Sequence, residues 1–192
     1  MSLTRLFGRL DDPSPLLKQT PTTLLFLVAL LITLFRPDDF VRQLPAVVVS
    51  VVLVVFATIL ALVLTPLRSL RHLALLVPAI DFFAIGLLRF GTGVTDSAFA
   101  AIIILPMVWV ASEMGRRYIG YAALGTAIAM LLPLVLDSSL LSQSDLLVRA
   151  AVSTLVFAVA GSVVNELARH SRLRLRSALD DAQRRKRMLE DA

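Results

Sequence analysis

The chain has 192 residues, 57% of them hydrophobic, with a mean hydropathy of +0.83, well above the apolar share of roughly 45–50% usual in soluble domains. Its charged residues, 17% of the total, gather at segment ends, which predicts a polytopic all-α membrane protein. The absence of cysteine excludes disulfides, thiolate nucleophiles and Cys-ligated metals, two histidines argue against a zinc enzyme, and a formal charge of +5 is a topology signal that predicts no nucleic-acid partner.

Residues 1–10 place Leu3, Leu6, Phe7 and Leu10 on one helical face, away from Arg5 and Arg9. That spacing fits a short helix in the headgroup layer, or equally a frayed terminus. Asp11, Asp12, Pro13 and Pro15 break it, and no small-residue site follows that would mark a signal peptide. Six apolar runs come next. The first, residues 22–35, makes only about 21 Å of helix against a hydrocarbon core of roughly 30 Å. It is expected to begin near Leu16, with Pro21 in an early turn. The second, residues 45–64, is rich in valine, but its length decides for a buried helix over a strand. The third to sixth cover residues 72–90, 97–111, 118–136 and 146–164. Pro78, Pro106 and Pro133 fall inside runs three to five, as candidate bends or as ordinary membrane-helix prolines.

Beyond Val164 the sixth run meets no Gly or Pro and becomes a charged helix through Arg184, Arg185, Lys186 and Arg187. One rod thus leaves lipid and enters water. The expected organisation is an N-terminal cytoplasmic or interfacial segment (1–20), a six-helix transmembrane sensor domain (21–166), and a coiled-coil-like connector helix (167–192). Six crossings put both termini on one side, together with fifteen of the 19 basic residues. Arg36, Arg42, Arg89 and Arg149 fall on the other. The positive-inside rule therefore predicts that both termini are cytoplasmic.

Asp81 stands midway through the third run, where an aspartate costs roughly 2.5–3.5 kcal/mol on insertion scales. It must face the bundle interior or water, as a ligand contact, a protonation switch or a plain interhelical hydrogen bond. Arg89 lies eight residues later, about 80° around the helix, so a neighbouring helix, through Arg149, is the better source of a partner. Arg89 also joins Thr92, Asp96, Asp38 and Asp39 at an outer rim, which is either the mouth of a polar pocket or ordinary loop solvation. Trp109 is a candidate for ligand stacking, with packing or anchoring as its default role. Glu113 beside Arg116 and Arg117 reads as an ion pair. Motifs for phosphate binding, for a serine nucleophile and for a metalloprotease helix are all missing. No catalytic residue, metal ligand or cofactor is expected in this segment.

Ala150, Thr154, Ala158 and Ser162 recur every four residues along the sixth run. Such a stripe permits close helix approach, either to the same run of a second copy or to run three. Further on, Ala168, Leu175, Ala182 and Leu189 recur every seven residues, with Leu179 between them. This short heptad pattern predicts a homodimeric connector; the alternative is a basic helix lying on anionic lipid. The expected partners are the lipid bilayer, a second copy of the chain and an unspecified small-molecule or lipid ligand.

Residues 81–93 (DFFAIGLLRFGTG), and residues 105–109 (LPMVW) through Gly115-Arg116-Arg117, carry a family likeness. With them the chain resembles the multi-span N-terminal sensor regions of actinobacterial diguanylate cyclases and sensor histidine kinases. The resemblance implies a dimer in a bacterial plasma membrane that biases a cytoplasmic cyclase or kinase domain, expected to follow residue 192. It implies no particular ligand and no binding residues. The expected function is a sensory and dimerisation module, not itself an enzyme. The alternative is a solute-binding membrane subunit of a vitamin or small-molecule transporter, against which the long charged tail argues.

Overall fold

The computed structural model describes residues 14–35, 37, 41–94 and 98–190. The expected interfacial helix at residues 1–10, and the rim residues Asp38, Asp39 and Asp96, lie outside these. All regular elements among the described residues are helical: α1 (Pro15–Phe35), α2 (Leu44–Leu64), a 3₁₀ segment (Arg68–Leu75), α3 (Leu76–Gly91), a second 3₁₀ segment (Ala98–Ile103), α4 (Ile104–Ala111), α5 (Arg117–Leu136), a third 3₁₀ segment (Ser138–Ser142) and α6 (Ser144–Glu190). Five helices are long and apolar enough to cross a membrane, whereas Phe99–Ala111 is shorter. The expected six membrane-spanning helices are therefore matched by five of crossing length among the described residues. The fourth element has a 3₁₀ half rising about 2.0 Å per residue and an α half rising about 1.5 Å, roughly 24 Å in all.

Proline placement explains where the helices begin. Pro15 is the first residue of α1, Pro45 the second of α2, and Pro78 and Pro106 the third of α3 and α4. In a first turn the missing N–H has no helical acceptor to lose, and the fixed φ is already helical. Pro78 and Pro106 thus open α-helices after 3₁₀ segments, neither bending a continuous α-helix nor sitting in the interior of one. Pro133 lies in the last turn of α5, where its carbonyl accepts the Asp137 N–H.

Helix α3 is the hub. Its buried residues, among them Val77, Asp81, Phe82, Ala84, Ile85, Gly86 and Leu88, cover well over half of its circumference, leaving Leu76, Ala79 and Phe83 on a narrower exposed face. It packs against α2 and α5 most extensively, and also against α1 and α4. By contrast α2 buries only Val47, Ser50, Val54, Ala57, Ala61 and Leu64, at spacings of three and four. Its other face, Val48, Val52, Val55, Phe56 and Ile59, is more than half exposed, the pattern of a helix with one side in lipid.

The element ends meet at two poles. At one, the Leu16 N–H donates to Thr65 Oγ1 (3.3 Å) and Lys18 Nζ pairs with Glu113 Oε1 (2.6 Å). The start of α1, the end of α2 and the turn after α4 are thereby gathered together. At the other, the N–H groups of Arg42 and Gln43 donate to the Gly91 carbonyl at 2.7 and 2.9 Å, joining the start of α2 to the end of α3. The ion pair expected between Glu113 and its neighbours Arg116 and Arg117 is corrected by this arrangement. Glu113 reaches Lys18, while Arg117 donates to the Tyr118 hydroxyl (3.1 Å) with its guanidinium 5.0 Å from that ring's centre.

Candidate functional site

Asp81 is fully buried and accepts a hydrogen bond from Gln19 Nε2 at 3.0 Å. The partner comes from α1, not from Arg149, so the expectation of an arginine partner is corrected. Physically, Asp81 lies in the second turn of α3 and faces the first turns of α1, whereas Arg149 lies in the second turn of α6, beside the far end of α3. Gln19 belongs to the buried face of α1, with Thr22, Phe26, Ala29 and Thr33. Asp81 Oδ2, Gln19 Oε1 and Thr22 Oγ1 are buried without a hydrogen-bond partner. Three oxygen atoms with unused capacity thus sit where α1 meets α3. Sequence reading missed Gln19; the signal was its register on the apolar face of α1.

Arg89 is in the last turn of α3 and only 8% exposed. Its Nη1 donates to the carbonyls of Ala129 (3.1 Å) and Met130 (3.4 Å) on α5. Neither Arg89 nor Asp81 uses the other. Arg149 is exposed on α6, and both arginines line a cavity of about 190 Å³ between α3, α5 and α6. Trp109 is 5% exposed and packs with Ala57, Ala61, Leu64 and Val77, the setting of a packing residue at the pole that holds Lys18 and Glu113.

Along α6 the four-residue stripe does not form one face. A step of four residues turns a helix by about 40°, hence about 120° over three steps. Ala150 is accordingly buried, Thr154 and Ala158 half-buried, and Ser162 exposed. Within the chain α6 lies against α5 and α4. The residue that allows close approach is Gly161, where an added Cβ would sit 3.4 Å from Met107 Sδ and 3.6 Å from Ala111 Cβ. Of the heptad positions, Ala168 and Leu179 are half-buried, and Leu175 and Ala182 exposed. The Leu189 side chain lies outside the described residues.

One turn beyond Gly161 is a latch that sequence reading did not identify. Asn165 Nδ2 donates to the carbonyls of Ala111 (2.7 Å) and Glu113 (3.0 Å), and Arg172 Nη2 donates to that of Ser112 (2.7 Å). These carbonyls close the end of α4, where a helix has no internal donors left to satisfy them. A carboxamide and a guanidinium from α6 supply the donors, and the positive charge suits the helix C-terminus. Gly161, Asn165, Ala168 and Arg172, spaced by four, three and four, form the face of α6 that turns to the bundle. Beside the latch a cleft of about 380 Å³ is lined by the α4–α5 turn and by Glu166, Arg169 and Leu173 of α6.

Comparison with protein-family models, with curated proteins and with solved structures gives no match.

Proposed function

We propose that the chain is a membrane-embedded sensory and dimerisation module. In this reading it crosses a bacterial plasma membrane six times, with both termini cytoplasmic, and α6 passes the stimulus to a cytoplasmic output domain of cyclase or kinase type. The observation that carries the reading is the continuity of α6. It runs without a break from Ser144 to Glu190, roughly 70 Å of helix against a hydrocarbon core of about 30 Å. Residues 165–172, where it leaves the bundle, are the part held by the Asn165 and Arg172 hydrogen bonds. A rod latched at its exit has two available packings, latched and released. A stimulus that stabilises one over the other shifts the position of everything attached beyond.

Dimerisation is supported by the surface of α6. Leu147, Val148, Val152, Leu155, Val156, Val159 and Val163 are between 40% and 66% exposed, an apolar face open to lipid or to a second copy. In the tail, Leu173 and Leu175 are 50% and 48% exposed, in the half of the helix where charge otherwise dominates.

The test is a chimera in which residue 192 is joined to a cyclase or kinase reporter. Asn165→Ala is expected to change reporter output by releasing the latch. Leu175→Cys, in a chain with no cysteine of its own, is expected to form a disulfide dimer under oxidation. That cross-link should hold output at one level and abolish the effect of Asn165→Ala. A cross-linked chimera that still responds to the latch substitution would end the transmission reading.

A further inference from the structure

The cavity between α3, α5 and α6 combines two features that the packing of the bundle does not explain. The first is Arg89, an arginine only 8% exposed. Its Nη1 is satisfied by two α5 carbonyls, and its place in the last turn of α3 is favourable for a cation. Its Nε–H is nevertheless buried without any acceptor, and no carboxylate among the described residues pairs with it. A buried charge is ordinarily paired, and an arginine within a membrane bundle is ordinarily matched by a counter-group.

The second feature is Arg149, from a different helix, on the same cavity. The space of about 190 Å³ is lined by Arg89, Arg149 and Ser153, with Val94, Leu134 and Leu146 among its apolar walls. Among the described residues that line it, two guanidinium groups and a hydroxyl present donors and there is no carboxylate. Planar N–H forks of this kind fit the two oxygens of a carboxylate or phosphate. The volume suits a small group and excludes a large one. The apolar walls suit the carbon that such a group carries.

We propose that this cavity is a binding site for a small oxyanion, a carboxylate or phosphate group held between Arg89 and Arg149, borne either by a free solute or by a lipid headgroup. The occupant would touch the first turns of α6, at Arg149 and Ser153, so its presence would be felt by the helix that leaves the bundle. The assay below measures binding without any output domain, so its result stands whether or not α6 transmits a signal.

The experiment uses the full chain in neutral detergent, titrated with inorganic phosphate and with succinate, and in nanodiscs of phosphatidylcholine with or without phosphatidylglycerol. The readouts are the thermal unfolding midpoint and bound species by native mass spectrometry. A saturable rise in midpoint with a soluble anion identifies a free solute; a rise confined to phosphatidylglycerol identifies a headgroup. In either arm Arg149→Gln, at an exposed position, is expected to weaken apparent affinity at least tenfold. Arg89→Lys keeps the charge, loses the planar fork and is expected to do the same. Arg116→Gln removes one charge at the opposite pole and is expected to change nothing. The proposal is overturned if none of the probes binds saturably, or if Arg149→Gln behaves like Arg116→Gln.

Discussion

At the scale of single residues, the Gln19–Asp81 pair is the polar contact most enclosed by the bundle. Each member is fully buried, and the 3.0 Å bond between them is the only one their side chains make among the described residues. Asp81→Leu would leave the Gln19 amide buried with no partner, an expected loss of about 1–3 kcal/mol. Gln19→Leu added to it removes the second polar group as well and should recover most of that loss. Unfolding midpoints of the two singles and the double give the coupling directly, and strict additivity would show that the bond carries little. Asp81→Asn should keep the fold, because a carboxamide oxygen also accepts from Gln19. If a reporter chimera carrying it responds as the parent does, Asp81 is a structural residue and not a switch. Asn165→Ala is a different kind of loss. It strips the carbonyls of Ala111, at the end of α4, and of Glu113, in the turn beyond, of their donor, so backbone amide exchange around residues 111–116 is expected to accelerate while exchange at the core of α3 stays unchanged.

At the scale of elements, helix contacts depend on which residues lack a Cβ. Gly91 ends α3 against the start of α2, where an added Cβ would stand 2.6 Å from Val47 Cγ2, 3.0 Å from Val47 N and 3.1 Å from the Gln43 carbonyl oxygen. Two of those three atoms belong to backbone, which cannot swing aside. Gly91→Ala is therefore expected to destabilise by about 1–3 kcal/mol, the usual range for overpacking. Gly120 on α5 has nothing within 4 Å of such a Cβ. Gly120→Ala should be neutral or stabilising by about 0.5–1 kcal/mol, since alanine restricts the unfolded chain and favours helix. Melting curves of the two variants in the same detergent separate the effects; a Gly91→Ala midpoint equal to the parent's would mean that α2 and α3 slide apart freely. The same logic makes Gly161, rather than the four-residue stripe, a point of close approach between α6 and α4.

At the scale of the whole molecule, the elements are arranged so that α3 is enclosed and α6 is peripheral. Half of the most apolar stretch within Leu73–Gly91 is buried, against 11% of that within Ser144–Leu179. A peripheral helix held by a few polar contacts at its exit is easier to displace than a central one, which is why the transmission reading places movement there. Its topology is directly testable because the chain contains no cysteine. With both termini in the cytoplasm, Ser139→Cys in the turn before α6 should react with a membrane-impermeant maleimide on intact cells. Ser177→Cys in the tail should react only after permeabilisation. The reverse pattern, or labelling of both from outside, would remove the topology and with it the direction of signalling.

The all-helical class and the rough limits of the apolar segments were legible in the linear sequence, but the number of helices of membrane-crossing length was not, since five rather than six reach it among the described residues. Run length and the charges that bound each run are local properties, and lipid selects on them segment by segment. The uninterrupted extension of the sixth run was legible for the same reason, since nothing between Asn165 and Glu190 breaks a helix. Where prolines stood within runs, length alone could not tell a bend from a start, and the 3₁₀ openings before Pro78 and Pro106 emerged only in three dimensions. Partners were decided by tertiary structure throughout. Asp81 meets Gln19 from 62 residues away, and Asn165 reaches carbonyls 52 and 54 residues away. Arg149 shares a cavity with Arg89 instead of reaching Asp81. Such pairings depend on the azimuth and depth at which separate helices pack, quantities set by the fit of one side-chain surface to another and written in no single stretch of the chain.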